Sequence, residues 1–190
     1  EELNLLVNQI SKAESGEGSI VNVIGEAGIG KSRLIAELNN RVDDPQTTIL
    51  EGRALSIGRT LSFYPIIEIL KQFADITEED SENEQQQKLQ STIERIHPEE
   101  SDEIFPFIAS LMGMNLTGQP SERVKGIEGE ALEKLIFKNL RELILKSAEQ
   151  TTLIFIIEDL HWADTSSIDL ISSLFRLVEN RRILFLSIFR

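Results

Sequence analysis

Residues 25–32 read Gly25-Glu26-Ala27-Gly28-Ile29-Gly30-Lys31-Ser32, which completes the pattern G-x-x-x-x-G-K-[ST]. Ahead of it, Ser19-Ile20-Val21-Asn22-Val23-Ile24 is short and β-branched and predicts a buried strand. Behind it, Ser32-Arg33-Leu34-Ile35-Ala36-Glu37-Leu38 spaces its apolar residues at helical intervals. Strand, glycine loop and helix in that order are the context in which the pattern has a mechanism. Glycines allow successive N–H groups to converge on one point without Cβ clashes, and the helix N-terminus adds its partial positive charge there. Such a loop cradles phosphates, with Lys31 reaching toward the β- and γ-phosphates and the Ser32 hydroxyl ligating Mg²⁺. A glycine-rich turn that only links strand to helix is the alternative, and it leaves the Lys31-Ser32 pair without a purpose.

A second stretch answers the first. Leu153-Ile154-Phe155-Ile156-Ile157-Glu158-Asp159 is an apolar run that ends in two carboxylates. A fully buried strand of a parallel sheet has this form, with its acids emerging at the C-terminal edge. In phosphate-loop NTPases such a strand delivers an acid to the Mg²⁺ shell, so Glu158-Asp159 is a Walker B candidate. Adjacent carboxylates point to opposite faces of a strand, but at its end both can turn toward a ligand. Two surface acids closing a strand are the alternative. Pairing with the upstream loop favours the metal-binding reading, because each motif supplies what the other needs.

Composition agrees with these motifs. At 190 residues with 41% hydrophobic content, the chain is one domain of ordinary size with enough apolar residues for a core. No apolar stretch approaches the roughly 20 residues that cross a bilayer, and no signal peptide is expected. Cysteine is absent, which excludes disulfides and cysteine-based zinc sites, and His97 and His161 are too few for a histidine metal cluster. A cytoplasmic location is the expectation, with no membrane partner. The formal charge of -13 argues against nucleic acid as a direct partner of this piece, because phosphate backbones demand basic patches.

The remaining segments alternate as an α/β fold requires. Asp43-Asp44-Pro45 predicts a turn and Thr47-Thr48-Ile49-Leu50-Glu51-Gly52 a second strand, followed by a loop over 53–62. An amphipathic helix is expected from about Ile66 to Phe73. Residues 75–87 are acidic, glutamine-rich and nearly free of apolar side chains, which predicts an exposed, mobile linker into a polar helix ending near Ile96. His97-Pro98 ends that helix, and another follows over about 102–112. Leu132, Leu135, Ile136, Leu140, Leu143 and Ile144 mark the longest helix, within 129–149. A helix over about 166–179 is capped by Asp164 or Thr165, and residues 183–190 form a last buried strand ending in Arg190. The stretch between the second strand and Glu158 is too long for one crossover. The expectation is therefore an all-helical insertion of three or four helices over about 64–148, within a single core spanning 1–190.

Three blocks carry a family resemblance: Gly25-Glu26-Ala27-Gly28-Ile29-Gly30-Lys31-Ser32-Arg33-Leu34, Ile157-Glu158-Asp159-Leu160-His161-Trp162-Ala163-Asp164, and the terminal apolar strand closing on Phe189-Arg190. Together they resemble the AAA-type ATPase domain of the STAND class of signal-transduction NTPases, found in large bacterial cyclases, kinases and transcription activators. Glu2-Leu3-Asn4-Leu5-Leu6, with Gly16-Glu17-Gly18 before the first strand, is similar to the lead-in of that domain. The implied fold is a phosphate-loop three-layer α/β/α sandwich with a mainly parallel sheet. The implied strand order inserts the strand ending in Arg190 between the phosphate-loop strand and the Walker B strand; direct pairing of 20–24 with 153–157 would instead mark the kinase-like subclass.

By the resemblance, Gly25, Glu26, Ala27, Gly28, Ile29, Gly30, Lys31, Ser32 and Arg33 bind the nucleotide, ATP or ADP, and Ser32 and Glu158 hold Mg²⁺. Asp159 stands where relatives carry the glutamate that polarises the attacking water, and a shorter acid there implies slow hydrolysis. Arg190 stands where relatives place an arginine that senses the γ-phosphate; a snorkelling end-of-strand cation is the alternative. His161 and Trp162 either contact nucleotide or partner or pack after the strand, and Asp164 is a helix cap or a ligand. The chain starts after the opening usual in relatives and stops at Arg190, so a piece of a longer protein is expected. Its lid and effector domains would be partners in the same chain, with assembly into an oligomer in the ATP state. Two functions stay open: a Mg²⁺-dependent ATPase acting as a signalling switch, and a regulatory or scaffold module that holds nucleotide with little turnover. A small-molecule kinase is a weaker third reading, because nothing marks an acceptor pocket.

Overall fold

A computed structural model describes residues 1–42, 44–55 and 62–189. Asp43 of the expected turn, most of the expected 53–62 loop and Arg190 lie outside the described residues. The chain divides into two compact units, residues 1–69 with 148–190 and residues 70–147.

The first unit opens with helix α1 (Glu2–Glu14), ahead of the elements expected from the sequence. Strand β1 (Ser19–Ile24), helix α2 (Lys31–Asn39) and strand β2 (Thr47–Arg53) follow. The unit resumes with β3 (Thr152–Glu158), a 3₁₀ turn over Leu160–Trp162, a helix over Thr165–Phe175 and β4 (Ile183–Phe189). All pairings are parallel and the order is β1-β4-β3-β2. The last strand therefore inserts between the phosphate-loop strand and the Glu158 strand, as the resemblance implies.

Alternation along β3 and β4 explains both layers of the core. Ile154, Ile156, Leu184, Leu186 and Ile188 face one side and pack with Leu3, Leu6, Ile10 and Ala13 of α1 and Ile35 and Leu38 of α2. On the opposite face Phe185 stacks on Phe155 with ring centroids 4.9 Å apart, and Phe175 meets it edge-on at 5.0 Å. Helices on both faces are what a parallel sheet needs, because its strands are apolar on both sides. Each fully buried Ile or Leu here stabilises the fold by roughly 2 kcal/mol.

β1 departs from its expected burial. Val21 and Val23 pack against the α1–α2 layer, while Ile20, Asn22 and Ile24 are exposed, Ile24 by 73%. Among the described residues β1 pairs only with β4, which makes it an edge of the sheet.

Among the described residues five helices lie between β2 and β3, one or two more than expected: α3 (Tyr64–Phe73), α4 (Glu82–Ile96), α5 (Ser101–Leu111), α6 (Gly118–Val124) and α7 (Gly129–Gln150). The helix over Thr165–Phe175 is thus α8. α6 has no buried residue and therefore no apolar period to betray it. Part of the predicted mobile linker is ordered. Ser81 caps α4 by accepting from the Glu84 N–H, and the Glu84 carboxylate accepts from the Ser81 N–H at 2.8 Å. This capping box was legible as Ser81-x-x-Glu84, but the polar composition masked it. Lys88 ties the segment down further, donating to Asp80 at 2.7 Å and to the Asp75 carbonyl at 2.8 Å. The Lys88 ammonium, with help from the Thr77 N–H, holds the Asp80 carboxyl below its ordinary value. In the second unit α4 packs with α5 and α5 with α6, burying Leu89, Ile93, Ile104 and Ile108 completely.

Candidate functional site

The C-terminal ends of four parallel strands converge in the first unit, the place where open α/β sheets bind ligands. Register does the positioning. Ile24 lies beside Phe189, Glu158 beside Ile188, and Arg53 beside Glu158. The Gly25 N–H donates to the Phe189 carbonyl at 3.4 Å, and the Asp159 N–H to the Ile188 carbonyl at 3.0 Å. The loop and the acids are thereby fastened to the same strand, β4.

Within the loop, Gly28 and Gly30 hold φ of 81° and 104°, and a Cβ built on either meets nothing within 4 Å. Backbone conformation, not crowding, calls for glycine there, and open space lies before the loop. α2 starts at Lys31, with the Leu34 N–H closing the first turn on the Gly30 carbonyl at 2.9 Å. The Lys31 ammonium folds back over the loop, donating to the carbonyls of Gly25 at 2.5 Å and Glu26 at 2.9 Å. Arg33 turns along the helix to Glu37 at 2.9 Å.

Opposite the loop, Asp159 has φ 56° and ψ 33°, a left-handed conformation that aspartate tolerates better than most residues. Its carbonyl accepts from the Trp162 N–H at 2.8 Å and starts the 3₁₀ turn. Glu158 is paired: Nη2 and Nε of Arg53 both donate to its Oε2, the second at 3.1 Å, and Nε lies 4.0 Å from Asp159 Oδ2. The hydrogen bond and charge of Glu158, then the charges of Asp159 and Glu68, hold the Arg53 guanidinium above its ordinary value.

Of the residues expected at the site, Ala27, Gly28, Gly30, Lys31, Ser32, Arg33, Glu158 and Asp159 line one cleft of about 330 Å³. Gly25 and Glu26 take part through the carbonyls that hold Lys31, whereas the Ile29 side chain is exposed and does not line the cleft. Arg190 lies outside the described residues. His161 and Trp162 do not line the cleft; their rings stand 5.1 Å apart on the 3₁₀ turn. Asp164 is a helix cap, accepting from the Ser167 N–H at 3.0 Å and from the Ser167 hydroxyl. Arg53 and Ile188 also line the cleft and were missed. For Arg53 a signal existed, since it is the first charged residue past the predicted second strand.

The donor set suits Mg²⁺. Ser32 and Glu158 offer oxygen only, and Mg²⁺ is commonly held by one or two protein oxygens together with substrate phosphates and water. Among the described residues no group of three or more His, Cys, Asp or Glu forms a metal cage. No described helix is long and apolar enough to cross a membrane.

Comparison with known proteins agrees with this geometry. The chain is 25% identical over 179 residues, 93% of its length, to an uncharacterized protein of Rhizobium meliloti (strain 1021), and it spans 17% of that protein's length. The profile of the AAA ATPase domain matches residues 1–186. With a parallel sheet of order β1-β4-β3-β2 carrying a phosphate loop on one strand and paired acids on another, this chain belongs to the AAA ATPase domain family.

Proposed function

We propose that this domain is a Mg²⁺-dependent ATP-binding switch that hydrolyses ATP slowly inside a larger signalling chain of the STAND class. AAA ATPase domains bind ATP or ADP with Mg²⁺. The observation that carries the reading is the single cleft lined by Gly28, Gly30, Lys31 and Ser32 on one side and Glu158 and Asp159 on the other.

In this reading the amides of Gly28 to Ser32 take the phosphates, and Lys31 leaves its own loop carbonyls to meet the β- and γ-phosphates. Ser32 and Glu158 would hold Mg²⁺, which supplies charge neutralisation on those phosphates. Asp159 orients the attacking water and accepts its proton. Its left-handed backbone, an outlier in a cleft, supports a functional rather than a packing role. Arg190 would face the γ-phosphate, a role resting on the resemblance alone. We assign residues 1–190 to one phosphate-loop core with a helical insertion over about 64–148; the compact unit over 70–147 supports the insertion. The much longer relative supports partner domains in the same chain, and a cytoplasmic setting and an ATP-state oligomer complete the proposal.

Turnover is the open half of this function. Lys31 is satisfied by loop carbonyls and Glu158 by Arg53, so the phosphate-binding cation and the metal-binding acid of this reading have partners within the chain itself. That observation favours a second reading, a module that holds nucleotide and rarely hydrolyses it. Calorimetry with ATP, ADP and Mg²⁺ tests the shared core of both. Binding is expected for the wild type, with loss of at least about a hundredfold in affinity for Lys31→Ala, the scale of two charge-assisted bonds. Unchanged affinity in Lys31→Ala would overturn the site.

A further inference from the structure

The pairing of Arg53 with Glu158 spends the carboxylate that the metal needs. We propose that Arg53 is a tethered counter-cation for Glu158 in the nucleotide-free protein, and that Mg²⁺ and Arg53 compete for this carboxylate, so the metal is held only when the ion pair opens. The inference rests on reading the cleft as the site of a Mg²⁺–nucleotide complex.

Three observations carry it. First, the pair is built into the sheet: Arg53 ends β2 and Glu158 ends β3, directly opposite in the parallel register, so the two side chains meet without any loop having to move. Second, both guanidinium nitrogens converge on one oxygen, Oε2, and the Glu158 side chain is only 15% exposed. The guanidinium held against that oxygen repels a second cation approaching the same carboxylate. Third, Arg53 is 53% exposed and faces three acids, Glu158, Asp159 and Glu68, the last accepting from the Arg53 N–H at 2.8 Å. The guanidinium thus has room to leave and other carboxylates beside it when it does.

The charge balance sets which cation Glu158 takes. Opening the pair leaves Glu158 beside the like-charged Asp159 with no guanidinium on its oxygen, an arrangement that is costly beside a low-dielectric sheet. A divalent cation relieves that cost more fully than one guanidinium. With no divalent cation present, the pair is the better state. A purely structural strand-end pair would instead stay closed whether or not metal is present.

The test reads the Mg²⁺ dependence of binding, not turnover. ADP and ATP affinities are measured over a Mg²⁺ titration, starting in EDTA, for wild type, Arg53→Gln, Arg53→Lys, Glu158→Gln, the Arg53→Gln/Glu158→Gln double variant and Lys31→Ala. In Arg53→Gln the half-saturating Mg²⁺ concentration is expected to fall roughly two- to fivefold, the scale of one partly exposed ion pair. Arg53→Lys keeps the charge but not the fork and is expected to fall between the two. In the Glu158→Gln background, Arg53→Gln is expected to produce no shift, because the two act through one contact. A midpoint in Arg53→Gln that stays or rises would overturn the proposal, as would weaker nucleotide binding at every Mg²⁺ concentration without a shift, which would make Arg53 a phosphate contact. Failure of the site reading has a separate signature: Lys31→Ala would then bind as the wild type does.

Discussion

The two walls of the cleft are built by opposite means. The glycine loop is local: Gly28 and Gly30 in positive φ and the helix start at Lys31 lie within residues 25–32. The acid wall is non-local. Arg53 and Glu158 meet across 105 positions of sequence, and Asp159 is fastened to Ile188 of a third strand. A loop of this kind keeps its shape wherever a strand enters it and a helix leaves it. The acid wall depends on strand register, and a slip of one residue would turn Glu158 away from Arg53 and from the cleft. The difference suggests a division of labour, with recognition of phosphate in the local wall and control of its chemistry in the assembled one.

That division can be broken by separating binding from turnover. Lys31→Ala, in the local wall, carries the largest expected effect and removes binding itself, as calorimetry would register. Asp159→Asn, in the assembled wall, is expected to lower steady-state phosphate release by about a hundredfold, the scale of a lost general base, while ATP still binds. This comparison belongs in the longest chain that expresses, because partner domains would influence turnover. Equal turnover in wild type and Asp159→Asn would leave the non-hydrolysing module as the surviving function.

Smaller effects sharpen the comparison through the supports of each wall. Gly52, beside Arg53 on β2, needs room rather than a special φ: a Cβ there would lie 2.2 Å from the Pro65 carbonyl oxygen. Gly52→Ala is expected to cost roughly 1–3 kcal/mol of stability, the range for overpacking, measured as a lowered urea midpoint. The same variant should disturb Arg53 and shift the Mg²⁺ midpoint, while EDTA-resistant binding at the loop is spared. Asp164→Ala removes the α8 cap behind the acid wall and is expected to cost about 1 kcal/mol, with nucleotide affinity unchanged. Reduced affinity in that variant would show that the two walls are not independent.

Much of this architecture was legible from residues alone. The glycine loop, the strand ending in Glu158-Asp159 and the last strand announce themselves because a fully buried parallel strand must be continuously apolar. The stretch over 82–96 was harder: its capping box was present, yet only Leu89, Ile93 and Ile96 are buried, so composition pointed to a linker. α6 offered no apolar signal at all. β1 misled in the opposite direction, since Ile20 and Ile24 read as core and stand exposed.

Sequence by itself determined the phosphate loop, because its geometry follows from backbone freedom at Gly28 and Gly30 and from the helix that begins at Lys31. It also determined that Glu158 and Asp159 close a buried strand. What only the tertiary structure decided is who stands beside them. Strand order and register are properties of the whole sheet, and they bring Arg53 onto Glu158 and anchor both walls to β4. A residue's own neighbours in the chain set its conformation, but its electrostatic partners are chosen by pairing between distant strands, which no local pattern encodes.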